Sequence, residues 1–428
     1  MRRFATMHGG GTGQVPSDRV SAQGATRIGR LLSLDLLRGL VVLLMLFVNQ
    51  ADSVEGASPF LRHAPEDADA VTLADLVLPA FLFMVGMSIP FAVGGRRKRE
   101  GLGAAVRHVL ERGAALLVMG VLMVNADLAR EDGLLSPAAW GALAVIAAVL
   151  AWQARPGDPA REAGWRAARG VGITLLVALV FLYRGTGTSG LLQIRPHWWG
   201  ILGIVGWAYL TAALLYLAVG ERPAVLLALV AALNGLYYFE APARALGWPA
   251  IGLGSLVGSQ AAVALAGVVL GVMAAAHLRG GGSAWSLAGR GLGLGALLLL
   301  AGVGLHHARP LDPAFHYSKE NATPPWGLVS AAATAIAWVA LFAAADGAGW
   351  RRWPPLLRIA GTNALLTYLL EPLVLALLAA SAAVFGHNPW TWLVGSSTAS
   401  GLVAAALFAC LLARLAGLLV RAGVRLQL

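Results

Sequence analysis

Charge is what this sequence has least of. Asp, Glu, Lys and Arg make up 12% of its 428 residues, against 58% hydrophobic ones, which is about half the charged share of a soluble domain. Such a chain cannot hide its apolar surface from water, and a water-soluble fold is excluded. Cysteine is nearly absent: Cys410 stands alone, so the chain can build neither an internal disulfide framework nor a thiolate metal site. Residues 1–30, rich in Gly, Ser and Arg, lack the apolar core of a cleavable signal peptide. They predict a disordered cytoplasmic tail, with one membrane domain over 31–428. No internal repeat is apparent, which weighs against the paired halves common among transporters.

Long apolar runs are plentiful instead, and the mean hydropathy is +0.71. Runs near 34–50, 73–94, 103–125, 137–153, 170–183, 199–219, 223–239, 256–276, 287–305, 325–345, 359–380 and 392–413 are each read as a crossing of a hydrocarbon core about 30 Å thick. The fold class expected is all-α, a polytopic transmembrane bundle of about twelve spans and at least ten. With both termini in the cytoplasm, most of the 32 Lys and Arg residues fall in inner segments, among them Arg96-Arg97-Lys98-Arg99 and Arg351-Arg352. The net charge of +11 is scattered between spans and not gathered on one face, so it reports topology and predicts no nucleic-acid partner. The 53 glycines fit close helix packing in lipid.

Polar groups within or beside spans are costly, and function is sought there. Asp35 and Arg38 stand three apart on one face of the first span, at its cytoplasmic mouth. Asn49 ends that span, His63 lies in the following loop, and Asp75 opens the second span, so the three share the outer face. An imidazole can take a proton near neutral pH, and a neighbouring carboxylate or amide can fix its tautomer. Asn363, Thr367 and Glu371 recur every four residues and predict one polar stripe from the cytoplasmic mouth toward mid-membrane. Plain alternatives stand beside these. Asp35 and Arg38 fit a helix start and a positive-inside anchor, Lys319 a snorkelling lysine, and Trp198, Trp199, Trp326 and Trp390 an aromatic belt. His306, His307 and His316 match no metal motif, so no metal is expected.

The string Ser33-Leu34-Asp35, Arg38-Gly39, Phe47-Val48-Asn49, His63-Ala64, Ala74-Asp75-Leu76-Val77-Leu78-Pro79, Phe81 and Gly86 resembles the heparan-alpha-glucosaminide N-acetyltransferase family and its bacterial relatives. Weaker matches follow at Val124-Asn125, Ser318-Lys319, Ala322-Thr323-Pro324, Trp326, Gly361-Thr362-Asn363 and Tyr368. The resemblance implies a multispanning enzyme that carries the acetyl group of cytoplasmic acetyl-CoA to an amino sugar or other glycan on the external face. His63 matches the active-site histidine, acting as general base or acetyl carrier, with Asn49 and Asp75 beside it. Asp35, Arg38, Lys319, Trp326, Asn363, Thr367 and Glu371 are then candidates for acyl-CoA or substrate binding. Departures exist. Pro65-Glu66-Asp67 replaces the Trp and Gly that follow the histidine in the animal enzymes, and Leu369-Leu370-Glu371-Pro372 replaces their His-Glu pair. The partners expected are acetyl-CoA, an extracytoplasmic glycan and membrane lipids, with a homodimer allowed and a bacterial inner membrane as the setting. A small-solute or lipid-linked-precursor transporter, with Asp35, Glu371 and His63 along its path, and a non-catalytic scaffold stay open.

Overall fold

The computed structural model describes residues 31–426 apart from 187–189, 246–251, 383–385 and 396; the tail expected over 1–30 lies outside the described residues. The described chain is helical throughout, without a strand. Its helices are α1 (Leu32–Ala51), α2 (Leu73–Glu100), α3 (Leu102–Ala126), α4 (Pro137–Ala151), α5 (Glu162–Leu182), α6 (Gly200–Val219), α7 (Pro223–Ala245), α8 (Gln260–Gly280), α9 (Ala284–His307), α10 (Pro324–Phe342), α11 (Pro355–Thr362), α12 (Ala364–Ala380), α13 (Pro389–Gly395) and α14 (Thr398–Arg421). Ten helical segments among the described residues are long and apolar enough to cross a membrane. The pair α11 and α12, bent by 90°, passes the same test when taken together, as a broken span or a re-entrant pair, and α4 is a shorter apolar helix of 15 residues. Each of the twelve runs therefore meets a helix.

Three boundaries differ from the sequence expectation. The run at 170–183 is the apolar end of α5, which begins at Glu162; its first turns carry Arg166 and Arg169 and so give no apolar signal. The run at 359–380 is not one rod, because Asn363 leaves the helical conformation (φ −143°, ψ 71°) and caps α12 by accepting the Leu366 N–H. The last run begins later than 392, since 389–395 form the separate helix α13 and α14 opens at Thr398.

Helix α8 is the centre of the bundle, buried along most of its length and packed by α2, α6, α7, α9 and α10. Its contact with α2 is so close that a Cβ on Gly86 would stand 1.8 Å from the Ala264 carbonyl oxygen, and one on Gly267 1.9 Å from that of Phe83. Gly267 and Gly271 form the small-xxx-small spacing that lets helices approach in lipid, where apolar side chains gain nothing by mutual burial. Around this centre the outward faces carry exposed Val171, Val177, Leu297, Leu300, Leu407 and Leu411. Such an apolar exterior is the signature of a surface facing lipid. On the mouth of α1, Asp346 accepts the orphan N–H groups of Leu32 (3.1 Å) and Ser33 (2.9 Å), so a carboxylate meets the positive end of the helix.

Candidate functional site

The loop between α1 and α2 is organised by one carboxylate. Thr72 and Asp75 form a capping box at the start of α2. Asp75, 1% exposed at its side chain, then has oxygen lone pairs left for the loop. Its Oδ2 accepts from Thr72 Oγ1 (2.9 Å) and the Ala64 N–H (3.2 Å), and its Oδ1 stands 2.9 Å from His63 Nδ1. Asp52 accepts the His63 N–H at 2.9 Å, and Trp326 Nε1 donates to the Asp75 carbonyl at 3.2 Å. A carboxylate only accepts, so the pair places the ring proton on Nδ1 and leaves the lone pair on Nε2. No residue among those described hydrogen-bonds Nε2. The His63 side chain is 29% exposed and borders a cavity of about 780 Å³ shared with Asn49, Trp198, Gln260 and Lys319.

The structure thus brings His63, Asp75, Asn49 and Lys319 to one face, and sets the other expected residues elsewhere. Asn49 does not hold the imidazole. Its Nδ2 donates to Glu371 Oε2 (3.1 Å), while Gln50 Nε2 donates to Glu371 Oε1 (2.7 Å) and Gln50 Oε1 accepts from Trp390 Nε1 (2.8 Å). Glu371 therefore lies level with the last turn of α1 and pairs with two amides, not with a cation. The stripe expected from Asn363 through Thr367 to Glu371 is interrupted at its first member: Asn363 forms the α11–α12 corner, and Thr367 Oγ1 returns its proton to the Asn363 carbonyl (3.1 Å). Trp326 is buried behind Asp75 instead of facing the cavity. Lys319, on the cavity rim, pairs with Glu320 at 3.1 Å. On the opposite face Arg38 reaches Asp35 (3.4 Å), Ser88 Oγ (3.2 Å) and the Gly361 carbonyl (3.5 Å), so it ties α1 to α2 and α11.

Asp69, unmarked in the sequence, fastens the His63 loop to the loop that carries Lys319. It accepts from His306 Nε2 (2.9 Å), from Arg309 and from the Tyr317 N–H (2.8 Å), and the His306 ring stacks on Tyr317 at 4.1 Å. Partial burial works against its charge, but these donors outweigh that and hold its carboxyl below the usual aspartate value. A depressed carboxyl contributes its stability above the unfolded value and loses it as pH falls through the folded one. Acidification below the ordinary aspartate range should therefore release residues 52–72, and Asp69→Asn should release them at neutral pH. Limited proteolysis across that pH range reads this out; a wild-type loop still protected at the acid end, or a fully protected Asn variant, would contradict it.

The geometry is that of a histidine–carboxylate pair opening on a cavity, an arrangement able to supply a general base to a molecule bound there. No curated protein matches the chain. A family model described as "Acyltransferase domain" matches residues 31–414, from the start of α1 to within α14. A match of that extent takes in every crossing and both residues of the pair, and the chain belongs to this family of membrane acyltransferases.

Proposed function

We propose that the protein, in a bacterial inner membrane, moves an acetyl group from cytoplasmic acetyl-CoA to an amino sugar or other glycan on the external face, a transfer across the bilayer like that of the heparan-alpha-glucosaminide N-acetyltransferases it resembles. The observation that carries this reading is His63 held by buried Asp75 with Nε2 left toward the cavity. As the acceptor amine or hydroxyl attacks the thioester carbonyl carbon, Nε2 takes its proton, and Asp75 stabilises the imidazolium that forms. The tetrahedral intermediate then collapses, the C–S bond breaks, and the departing thiolate takes the proton back. Atoms and charge balance without any further reactant. Attack by Nε2 itself, giving an acetyl-histidine, uses the same tautomer. At the opposite face Arg38, partly exposed beside Asp35, suits the phosphates of the donor.

The test is purified protein with acetyl-labelled acetyl-CoA and a panel of amino sugars and glycans. Acceptor-dependent release of CoA with label in the sugar is expected. Label uptake into vesicles without CoA release would replace transfer by transport.

A further inference from the structure

The cavity holds a reader that the acyl-transfer chemistry does not use. Five side-chain amides are buried in the described chain. Gln50 bonds Glu371 and Trp390, Asn125 bonds Val121 and Arg195, Gln193 bonds Gly185 and Gly190, and Asn234 bonds Val230. The fifth, Gln260, is only 6% exposed, and its Oε1 has no hydrogen-bond partner among the described residues. It lines the same cavity as His63. An unpaired amide oxygen in such a place costs free energy that the fold does not recover from within. Gln260 also follows directly on the π-helical turn Leu253–Ser259, a kind of irregularity that recurs at functional sites.

Backbone strain marks the same cavity. The described chain has three non-glycine residues at positive φ, His197 (47°), Trp199 (71°) and Ala322 (49°), and all three line it. Each is held by its surroundings, as strain of this kind requires. Asn125 clasps both the carbonyl (2.6 Å) and the N–H (3.3 Å) of Arg195, and the Trp199 N–H donates to the Pro196 carbonyl at 2.7 Å. The Ala322 carbonyl accepts from Ser259 Oγ, next to Gln260. The result is that Trp198, 55% exposed, stands at the cavity wall on a fixed turn.

We propose that Gln260 and Trp198 form a sugar-binding subsite, in which the amide takes two adjacent ring hydroxyls and the indole covers the apolar face of the pyranose. A primary amide offers a donor and an acceptor in one plane, which matches a hydroxyl pair that both gives and takes protons. An indole supplies a rigid apolar surface of ring size. The assignment deepens the glycan-acceptor reading and rests on it for the reaction, but its test needs no turnover.

Thermal melting of the purified protein is measured with unreactive methyl pyranosides, amino sugars among them, and separately with CoA. A pyranoside should raise the wild-type melting temperature. Gln260→Leu should weaken that glycoside at least about tenfold and Trp198→Ala should weaken it too, with the CoA response unchanged in both. Without ligand, Gln260→Leu should melt no lower than wild type, because it removes a buried unpaired polar group; a marked loss would indicate a structural amide and overturn the proposal. So would a wild type that responds to no glycoside, a glycoside response that survives Gln260→Leu, or a variant that loses only its CoA response, which would mean that the amide reads the pantetheine arm. A wild type that answers to glycosides through Gln260 but never to CoA removes the acetyl donor and leaves the subsite standing.

Discussion

Replacement of His63 by Ala should lower acetyl transfer by about a hundred- to ten-thousand-fold, the usual contribution of a positioned general base, while the folded protein and its affinity for acetyl-CoA stay close to wild type. The fold is expected to survive because Asp75 keeps its bonds to Thr72 and to the Ala64 N–H when the ring is gone, and the loop keeps its Asp69 clasp. Asp75→Asn is the informative companion. An amide at that position can donate to Nδ1 and so favours the tautomer with its proton on Nε2, where the base is needed; transfer should fall while the ring remains in place. Rates measured with labelled acetyl-CoA, beside a melting curve for each variant, check both. A His63→Ala protein with wild-type turnover would remove the mechanism, and one that fails to fold would make the ring a structural element.

The second large effect concerns folding. Gly86→Leu places a side chain where the Ala264 carbonyl oxygen stands 1.8 Å from the first added carbon. The obstacle is backbone, which no rotamer change can move aside, so α2 and α8 must separate along the whole contact that Gly86, Gly267 and Gly271 permit. The cost should exceed the roughly 1–3 kcal/mol common for overpacked cores, enough to leave little folded protein in detergent. Gly289→Leu, on the exposed side of α9 with nothing within 4 Å of the added Cβ, is the control and should melt like wild type. Size-exclusion profiles and melting temperatures decide it; a well-folded Gly86→Leu protein would mean that the α2–α8 contact is not as tight as described. The site depends on this contact, since α2 brings Asp75 and α8 brings Gln260.

Much of this was open to reading in the chain itself. Crossings announce themselves because each long apolar run has one physical destination. His63, Asn49 and Asp75 could be set on one face by counting spans. The Thr72–Asp75 spacing also marks a helix start, although its capping box does not say that the same carboxylate will hold an imidazole twelve residues back. What could not be read is pairing across the bundle. Glu371 and Asn49 are 322 positions apart, and a period of four along one run says nothing about which neighbour it meets. The bend at Asn363 was hidden because both halves of that run are apolar. Gln260 sits in an ordinary Gly-Ser-Gln-Ala stretch, and it is set apart only in three dimensions, by an amide oxygen without a partner among the described residues at the wall of the cavity.

The corner at Asn363 reaches beyond the protein. Because α11 turns aside, α12 keeps only 17 residues, and it packs against α4 with its 15. At about 1.5 Å per residue these helices measure roughly 26 and 22 Å, against a hydrocarbon core of about 30 Å. Helices this short match a thinner hydrocarbon layer than that, and lipid meets such ends by thinning or by letting flanking residues reach the interface. The acyl-chain length of the surrounding lipid is therefore expected to act on α12, and through Glu371 on Asn49 at the cavity wall.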